Sequence, residues 1–151
     1  MSPISRESLS QTIAQLLPSI IQGVHLGFLA NKAITHTQFF VLIAIHSHQR
    51  CPMRALAENL HVSMPTISGI VDRLVKAGYI RRVGDLKDRR QVVVELTSKG
   101  KLLIEQFQQA VSFRWKEVLK TLDTKEVESF SRVILKLREQ LQGRKDVSGA
   151  A

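Results

Sequence analysis

Between Arg82 and Gly100 the chain reads Arg-Val-Gly-Asp-Leu-Lys-Asp-Arg-Arg-Gln-Val-Val-Val-Glu-Leu-Thr-Ser-Lys-Gly, and no other stretch constrains the fold as tightly. Tyr79 to Val83 and Gln91 to Leu96 read as the two strands of a hairpin. In the second strand Val92, Val94 and Leu96 alternate with Gln91, Val93 and Glu95, the pattern of a half-buried strand. The tip between them, Gly84 to Arg90, is too polar for a core and more basic than ordinary loop filler.

The segment just before this hairpin reads as a helix-turn-helix, Met53 to Ala77. Met53, Leu56, Ala57 and Leu60 line one side of a short helix, with Pro52 suited to its first position. His61 and Val62 make the turn. Ser63 caps a second helix from Met64 to Ala77, with Pro65 in its first turn, and Gly78 ends it as a left-handed cap. Ile67, Ile70, Val71, Leu74 and Val75 share one side of that helix; Pro65, Thr66, Ser68, Gly69, Asp72, Arg73 and Lys76 share the other. Small and polar side chains let a backbone approach base edges, and an arginine pairs with guanine or phosphate. The helix N-terminus itself favours a phosphate. An amphipathic helix with a solvated face shows the same pattern. The short helix before it and the basic hairpin after it favour the DNA-reading interpretation.

At the tip, Asp88 and Arg90 are two residues apart, so in an extended turn they can lie on one side, where the carboxylate orients the guanidinium. An arginine held this way suits a narrow minor groove, where the negative potential is strongest. Asp85, Lys87 and Arg89 flank it. The plainer alternative is a solvated turn of compensating charges. Arg81, Arg82, Lys87 and Arg89 are the expected phosphate contacts; Arg90 and the recognition helix are the expected readers of sequence.

The charge balance agrees. The net charge is +9 over 151 residues, which suggests a polyanionic partner, nucleic acid or an anionic membrane surface. Seven cations and two anions fall between Arg73 and Arg90, so the charge is focused rather than spread. The single cysteine, Cys51, rules out an intrachain disulfide framework and fits a reducing compartment. The N-terminus lacks the layout of a signal peptide. The apolar stretch from Ile13 to Ile34 is interrupted by Pro18, Gly23, His25, Asn31 and Lys32, so no membrane span is expected. The expected location is the cytoplasm.

Helices flank this centre. Leu9, Ile13, Leu16, Leu17, Ile20, Ile21, Val24 and Phe28 recur at helical spacing from Arg6 to about Leu29. Pro18 is expected to kink or restart that helix, and Gly23 and Gly27 weaken it. A partner helix is expected to stabilise it. Thr35 and Gln38 form a capping box for a helix to about His48. Its run from Phe39 to Ile45 also suits a strand; the cap and the neighbouring helices favour a buried helix. Thr97 caps a long helix from Ser98 to about Thr121, and Asp123 with Glu126 caps another from Thr124 to about Leu141. The expected fold class is mainly α: a winged helix-turn-helix with a two-strand wing and N- and C-terminal dimerisation helices. Its expected parts are an N-terminal dimerisation helix (1–34), a DNA-binding lobe (35–100), and C-terminal dimerisation helices with a tail (101–151).

The run Asp85-Leu86-Lys87-Asp88-Arg89-Arg90, followed by Val-Val-Val-Glu-Leu and Thr97-Ser-Lys-Gly100, resembles the wing signature of the MarR family of bacterial transcriptional regulators. Thr37-Gln38-Phe39, Leu56-Ala57, Ser63-Met64-Pro65-Thr66-Ile67-Ser68 and Val71-Asp72-Arg73-Leu74 match the same family in order and spacing. The resemblance covers about Thr35 to Gly100. It implies a homodimeric winged helix-turn-helix repressor or activator on double-stranded DNA with a pseudo-palindromic operator. Pro65, Thr66, Ser68 and Arg73 would then face the major groove, with Ser63 also a DNA-binding residue, and Arg90, braced by Asp88, the minor groove. It also implies release by a small, apolar or aromatic effector, phenolic compounds being candidates. His61 stands where the family often has glycine, and histidine tolerates a left-handed backbone better than most residues.

Three weaker features remain. Cys51 is a candidate redox switch, since Arg50, Arg54 and a helix start lie close in sequence; a structural cysteine is the plainer reading. His25, a polar group on an apolar helix, and Phe28 are candidates for an effector pocket. The five histidines show no zinc spacing, so no metal or other cofactor is expected. No catalytic motif is present, and an enzyme is not expected. The rival readings are a thiol-switched regulator using Cys51 and a winged-helix protein–protein interaction module.

Overall fold

A computed structural model describes residues 5–30, 32–84 and 91–148, and their side chains apart from those at 21, 24–26 and 142–148. The element order is α1 (Arg6–Leu29), α2 (His36–His48), β1 (Cys51–Pro52), α3 (Met53–Asn59), α4 (Met64–Lys76), β2 (Ile80–Gly84), β3 (Val92–Leu96), α5 (Ser98–Leu119) and α6 (Thr124–Ser148). The fold is mainly α with a small antiparallel sheet, as the residue pattern implied. The chain divides into two compact units, Met1–Val111 and Ser112–Ala151.

In the first unit the core gathers Phe39, Leu42 and Ile45 of α2, Leu56 of α3, Ile67, Val71 and Leu74 of α4, and Val94 and Leu96 of β3. α2 is a helix, and both halves of its capping box form. The Thr35 hydroxyl accepts from the Gln38 N–H at 3.2 Å, and the Gln38 side chain accepts from the Thr35 N–H at 2.9 Å. The cap resolves the ambiguity of the apolar run, which as a strand would leave Thr35 and Gln38 without that exchange.

α1 is one helix, with Pro18 inside it, rather than two. A proline removes one donor and crowds the turn before it; the remaining ladder carries the helix through. The other expectation to change is the wing. The sheet has three strands in the order β1-β3-β2, with Cys51 opposite Val94 and Pro52 opposite Val93. Pro52 is therefore a strand residue and the N-cap of α3, not its first helical residue. A proline is tolerated there because β1 is an edge strand. The chain reaches β1 by a tight turn: Gln49 has φ of 58°, and the Arg50 N–H donates to the His48 carbonyl at 2.6 Å.

Being central, β3 does not follow the expected alternation. Val93 and Val94 are both buried while Val92 is exposed. Val94 faces the core, and Val93 lies in a row between Pro52 and Val83 on the other face.

α4 ends as its sequence suggests. Gly78 has φ of 78°, the Gly78 N–H donates to Val75 at 2.9 Å, and the Tyr79 N–H donates to Leu74 at 3.0 Å. This pair is a Schellman closure. Just beyond, Gly100 packs against it: a Cβ there would stand 2.2 Å from the Tyr79 carbonyl oxygen. Backbone must shift to accept any side chain, so Gly100→Ala is expected to lower stability by about 1–3 kcal/mol. Urea unfolding measures this, and a midpoint equal to wild type would contradict the packing.

The second unit holds the end of α5 and all of α6. The Asp123 carboxylate accepts from the Glu126 N–H at 2.9 Å, and the Glu126 carboxylate accepts from the Asp123 N–H at 2.8 Å. Trp115 stacks on Phe130 with centroids 6.0 Å apart, whereas Phe113 is 66% exposed.

Candidate nucleic-acid interface

α4 meets the requirements of a recognition helix one by one. Ser63 caps it: the Ser63 hydroxyl accepts from the Thr66 N–H at 3.3 Å and shares a 2.8 Å hydrogen bond with the Thr66 hydroxyl. The turn before it depends on His61, whose φ of 52° is the left-handed conformation expected of that residue. Ile67, Val71 and Leu74 are buried, which fixes the direction of the opposite face. Pro65, Thr66, Asp72, Arg73 and Lys76 are exposed on that face, and Ser68 and Gly69 are half-buried. A Cβ at Gly69 would touch nothing within 4 Å, so core packing gives no reason for a glycine there. The outer surface of α4 is thus low-relief at its N-terminal half and cationic towards its end.

The two adjacent arginines of β2 part company. Strand alternation sends them to opposite faces. Arg82 lies on the α4 side and binds the Asp72 carboxylate at 2.7 Å, joining the wing strand to the recognition helix. Arg81 lies on the other face, within 2.5 Å of Glu95, which Arg50 also approaches at 3.3 Å. The two candidate phosphate contacts therefore lie on opposite faces of the sheet, Arg81 with its side chain 67% exposed. Arg81 serves the outer face of the sheet. The hydrogen bond from Arg81, helped by both guanidinium charges, holds the Glu95 carboxyl below its usual range.

A carboxylate with a lowered folded pKa adds stability above its unfolded value, and that stability is lost as pH falls through the folded value. Urea stability is therefore expected to drop as pH falls below about 4.3, with a smaller drop in Glu95→Gln. Identical pH profiles would contradict the pairing.

β2 ends at Gly84, which pairs with Val92 at the start of β3. Lys87, Asp88, Arg89 and Arg90 lie outside the described residues. So does the side chain of His25. The companion effector candidate, Phe28, is engaged in packing. Its ring lies 5.3 Å from Phe107 and 5.9 Å from Phe39, with the Lys32 ammonium 4.6 Å from its centroid. Phe28 is half-buried and packs against the core.

Cys51 is 0% exposed and faces the core, and burial pushes its thiol pKa up. A reactive thiol needs access and a cationic setting that favours the thiolate. Neither is present, because Arg50 turns to Glu95 on the opposite face. The thiol itself lies 3.7 Å from the Pro52 carbonyl oxygen.

A cleft of about 730 Å³ opens beside the outer face, lined among others by His46, Arg50, Arg81, Glu95, Lys101 and Glu105. Glu95 already binds both arginines, and Lys101 shares the lining with a second carboxylate, so the cleft presents mixed charge. Sequence reading missed Glu95 and Asp72 as partners; the alternation of β2 was the signal that could have separated their arginines. Among the described residues no cluster of His, Cys, Asp and Glu is arranged to hold a metal ion. No described helix is long and apolar enough to cross a membrane.

A capped recognition helix, a tight turn before it and a paired wing after it define a winged helix-turn-helix protein. Comparison with known proteins gives the family. The MarR family model matches residues 34–92. The HTH-type transcriptional regulator PapX of Escherichia coli is 30% identical over 134 residues, 87% of this chain and 82% of PapX. The HTH-type transcriptional repressor YetL of Bacillus subtilis is 27% identical over 122 residues, 79% of this chain and 72% of YetL. Wild-type apo MarR from E. coli superposes with a TM-score of 0.65 at 27% identity, covering 91% of this chain and 98% of that one. A mutant form of E. coli MarR solved in complex with operator DNA gives 0.56 at 26% identity, covering 88% and 98%. The chain belongs to the MarR family, whose named relatives here are transcriptional regulators, not enzymes.

Proposed function

We propose that this protein is a sequence-specific DNA-binding repressor that acts as a homodimer on a pseudo-palindromic operator and is released by a small aromatic or phenolic effector. The observation that carries the reading is the outer face of α4, where small residues precede Arg73 and Lys76 while the opposite face is locked into the core. A relative of 26% identity was solved on operator DNA, which supports the same use of the fold. In this reading Ser63, Pro65, Thr66, Ser68 and Arg73 meet the major groove. Arg81, Arg82, Lys87 and Arg89 hold phosphates, and Arg90, braced by Asp88, reads the minor groove.

The dimer rests on apolar surface that one chain leaves uncovered. Leu16 on α1 is 55% exposed, and Val133, Leu137 and Leu141 on α6 are 54%, 52% and 64% exposed. Side chains of this kind along α1 and α6 support the reading of the two ends of the chain, 1–34 and 101–151, as dimerisation elements. The effector and the direction of its action come from the family resemblance; physically the effector must prefer one spacing of the two α4 helices over the other. The DNA-binding lobe is 35–100, and the protein works in the cytoplasm.

The test is selection of bound duplexes from a random pool, repeated with candidate phenolic ligands. The expected result is a pseudo-palindrome with half-sites about 10–10.5 base pairs apart, bound at least about 10³-fold more tightly than random duplex. No enrichment, or binding that depends on salt but not on sequence, would leave the protein–protein module as the better reading.

A further inference from the structure

The end of α4 and the start of α5 share one hydrogen-bonded joint. The Thr97 hydroxyl donates to the Gly78 carbonyl at 2.6 Å, with the Tyr79 carbonyl also within 3.1 Å, and it accepts from the Gly100 N–H at 3.2 Å. The Thr97 N–H donates to the Tyr79 carbonyl at 3.0 Å. Lys99 places its ammonium 2.7 Å from the Ala77 carbonyl and 4.4 Å from the centroid of the Tyr79 ring. Helices leave unpaired carbonyls at their C-termini and unpaired N–H groups at their N-termini. Here one hydroxyl caps α5 as an acceptor and, as a donor, binds the Gly78 carbonyl just past α4. The lysine adds a cation at the negative end of α4.

We propose that Thr97 and Lys99 are positioning residues for sequence recognition, fixing the tilt of α4 against α5. The apolar face of α4 is seated in the core through Ile67, Val71 and Leu74. Apolar contact is non-directional and lets a helix rock; hydrogen bonds at its end are directional. α4 has 13 residues, so it is about 20 Å long. A swing of about 10° about its C-terminal end moves the tip at Ser63 to Thr66 by about 3 Å, far beyond what a base contact tolerates. Long cationic side chains on phosphates follow such a shift. A loosened joint therefore lowers discrimination between sequences and leaves general affinity for DNA in place. This role rests on the reading that α4 enters the groove.

The test uses the full chain, as wild type and as Thr97→Ser, Thr97→Val, Thr97→Asp and Lys99→Met. Each is titrated by fluorescence anisotropy with the duplex that wild type selects from a random pool and with a scrambled duplex of equal composition. Serine keeps donor and acceptor, valine keeps neither, and aspartate keeps the acceptor for Gly100 but has no proton for Gly78. Thr97→Ser is expected to match wild type. Thr97→Val and Thr97→Asp are expected to lose about tenfold in the ratio of selected to scrambled affinity, with Lys99→Met losing less. For Thr97→Val the scrambled duplex is bound as before.

If the hydroxyl only caps α5, Thr97→Asp keeps the wild-type ratio, and that result overturns the proposal. So does an equal loss on both duplexes. If Thr97→Val fails to fold, as circular dichroism would report, Thr97→Asp and Lys99→Met decide. A wild type with no preference between duplexes overturns the reading of sequence-specific recognition itself, whereas preference retained in Thr97→Val and Thr97→Asp overturns the joint alone.

Discussion

Phe39→Ala is expected to destabilise the protein by about 3–5 kcal/mol. The Phe39 ring is completely buried, with centroids 4.8 Å from Phe107 and 5.9 Å from Phe28. With Phe28 and Phe107, which also touch each other, it joins α1, α2 and α5 within the first unit. Removing it deletes both ring contacts and opens a hole that the flanking helices cannot close without moving. Domains of this kind have about 5–15 kcal/mol in total, so the loss is a large part of the whole. A thermal midpoint about 10 °C or more below wild type is expected, with Phe39→Leu much milder. Calorimetry decides; a midpoint within about 2 °C of wild type would show that the three-ring cluster is not the keystone of this unit.

The second large effect is functional. Arg90→Ala is expected to weaken binding to the selected duplex by about a hundredfold while the dimer and the thermal midpoint stay as in wild type. An arginine in a narrow minor groove gains from focused potential as well as from its own hydrogen bonds, so removing it deletes more than one unit of charge. Arg90→Lys keeps the charge and loses the planar fork, and is expected to fall between the two. Isothermal titration or anisotropy measures the series, with sedimentation as the check on assembly. Unchanged affinity in Arg90→Ala would remove the minor-groove role from the wing.

Much of the fold was legible because its signals are local. Thr35 with Gln38, Ser63, Gly78 and Asp123 with Glu126 each mark a helix end by chemistry that acts over three or four residues, and all of them cap where expected. β1 was not legible: a two-residue strand has no period, and its Pro52 reads equally well as a helix start. Its presence makes β3 central and buries both Val93 and Val94, so the alternation read for that strand was a consequence of too few neighbours. Pro18 does not restart α1, since the cost of one lost hydrogen bond is local while the helix around it is long.

The candidate site divides in the same way. The face of α4 follows from a period of 3.6 and was readable in full. Arg81 was assigned by its neighbours in sequence, and the strand register, which sends it to Glu95, acts across 14 residues of chain. Near Cys51 the same register acts: Arg50 is adjacent in sequence, and its side chain turns to Glu95. The ring contacts of Phe28 were not legible because its partners, Phe39 and Phe107, come from separate helices.

The central claim is that a pair of α4 helices reads two successive major grooves. Methylation protection of guanine N7 on the selected duplex tests it most directly, since that atom faces only the major groove. The expected result is two protected patches with centres about 34–36 Å apart along one face of the duplex. A single patch, or binding with every guanine N7 still reactive, would contradict it.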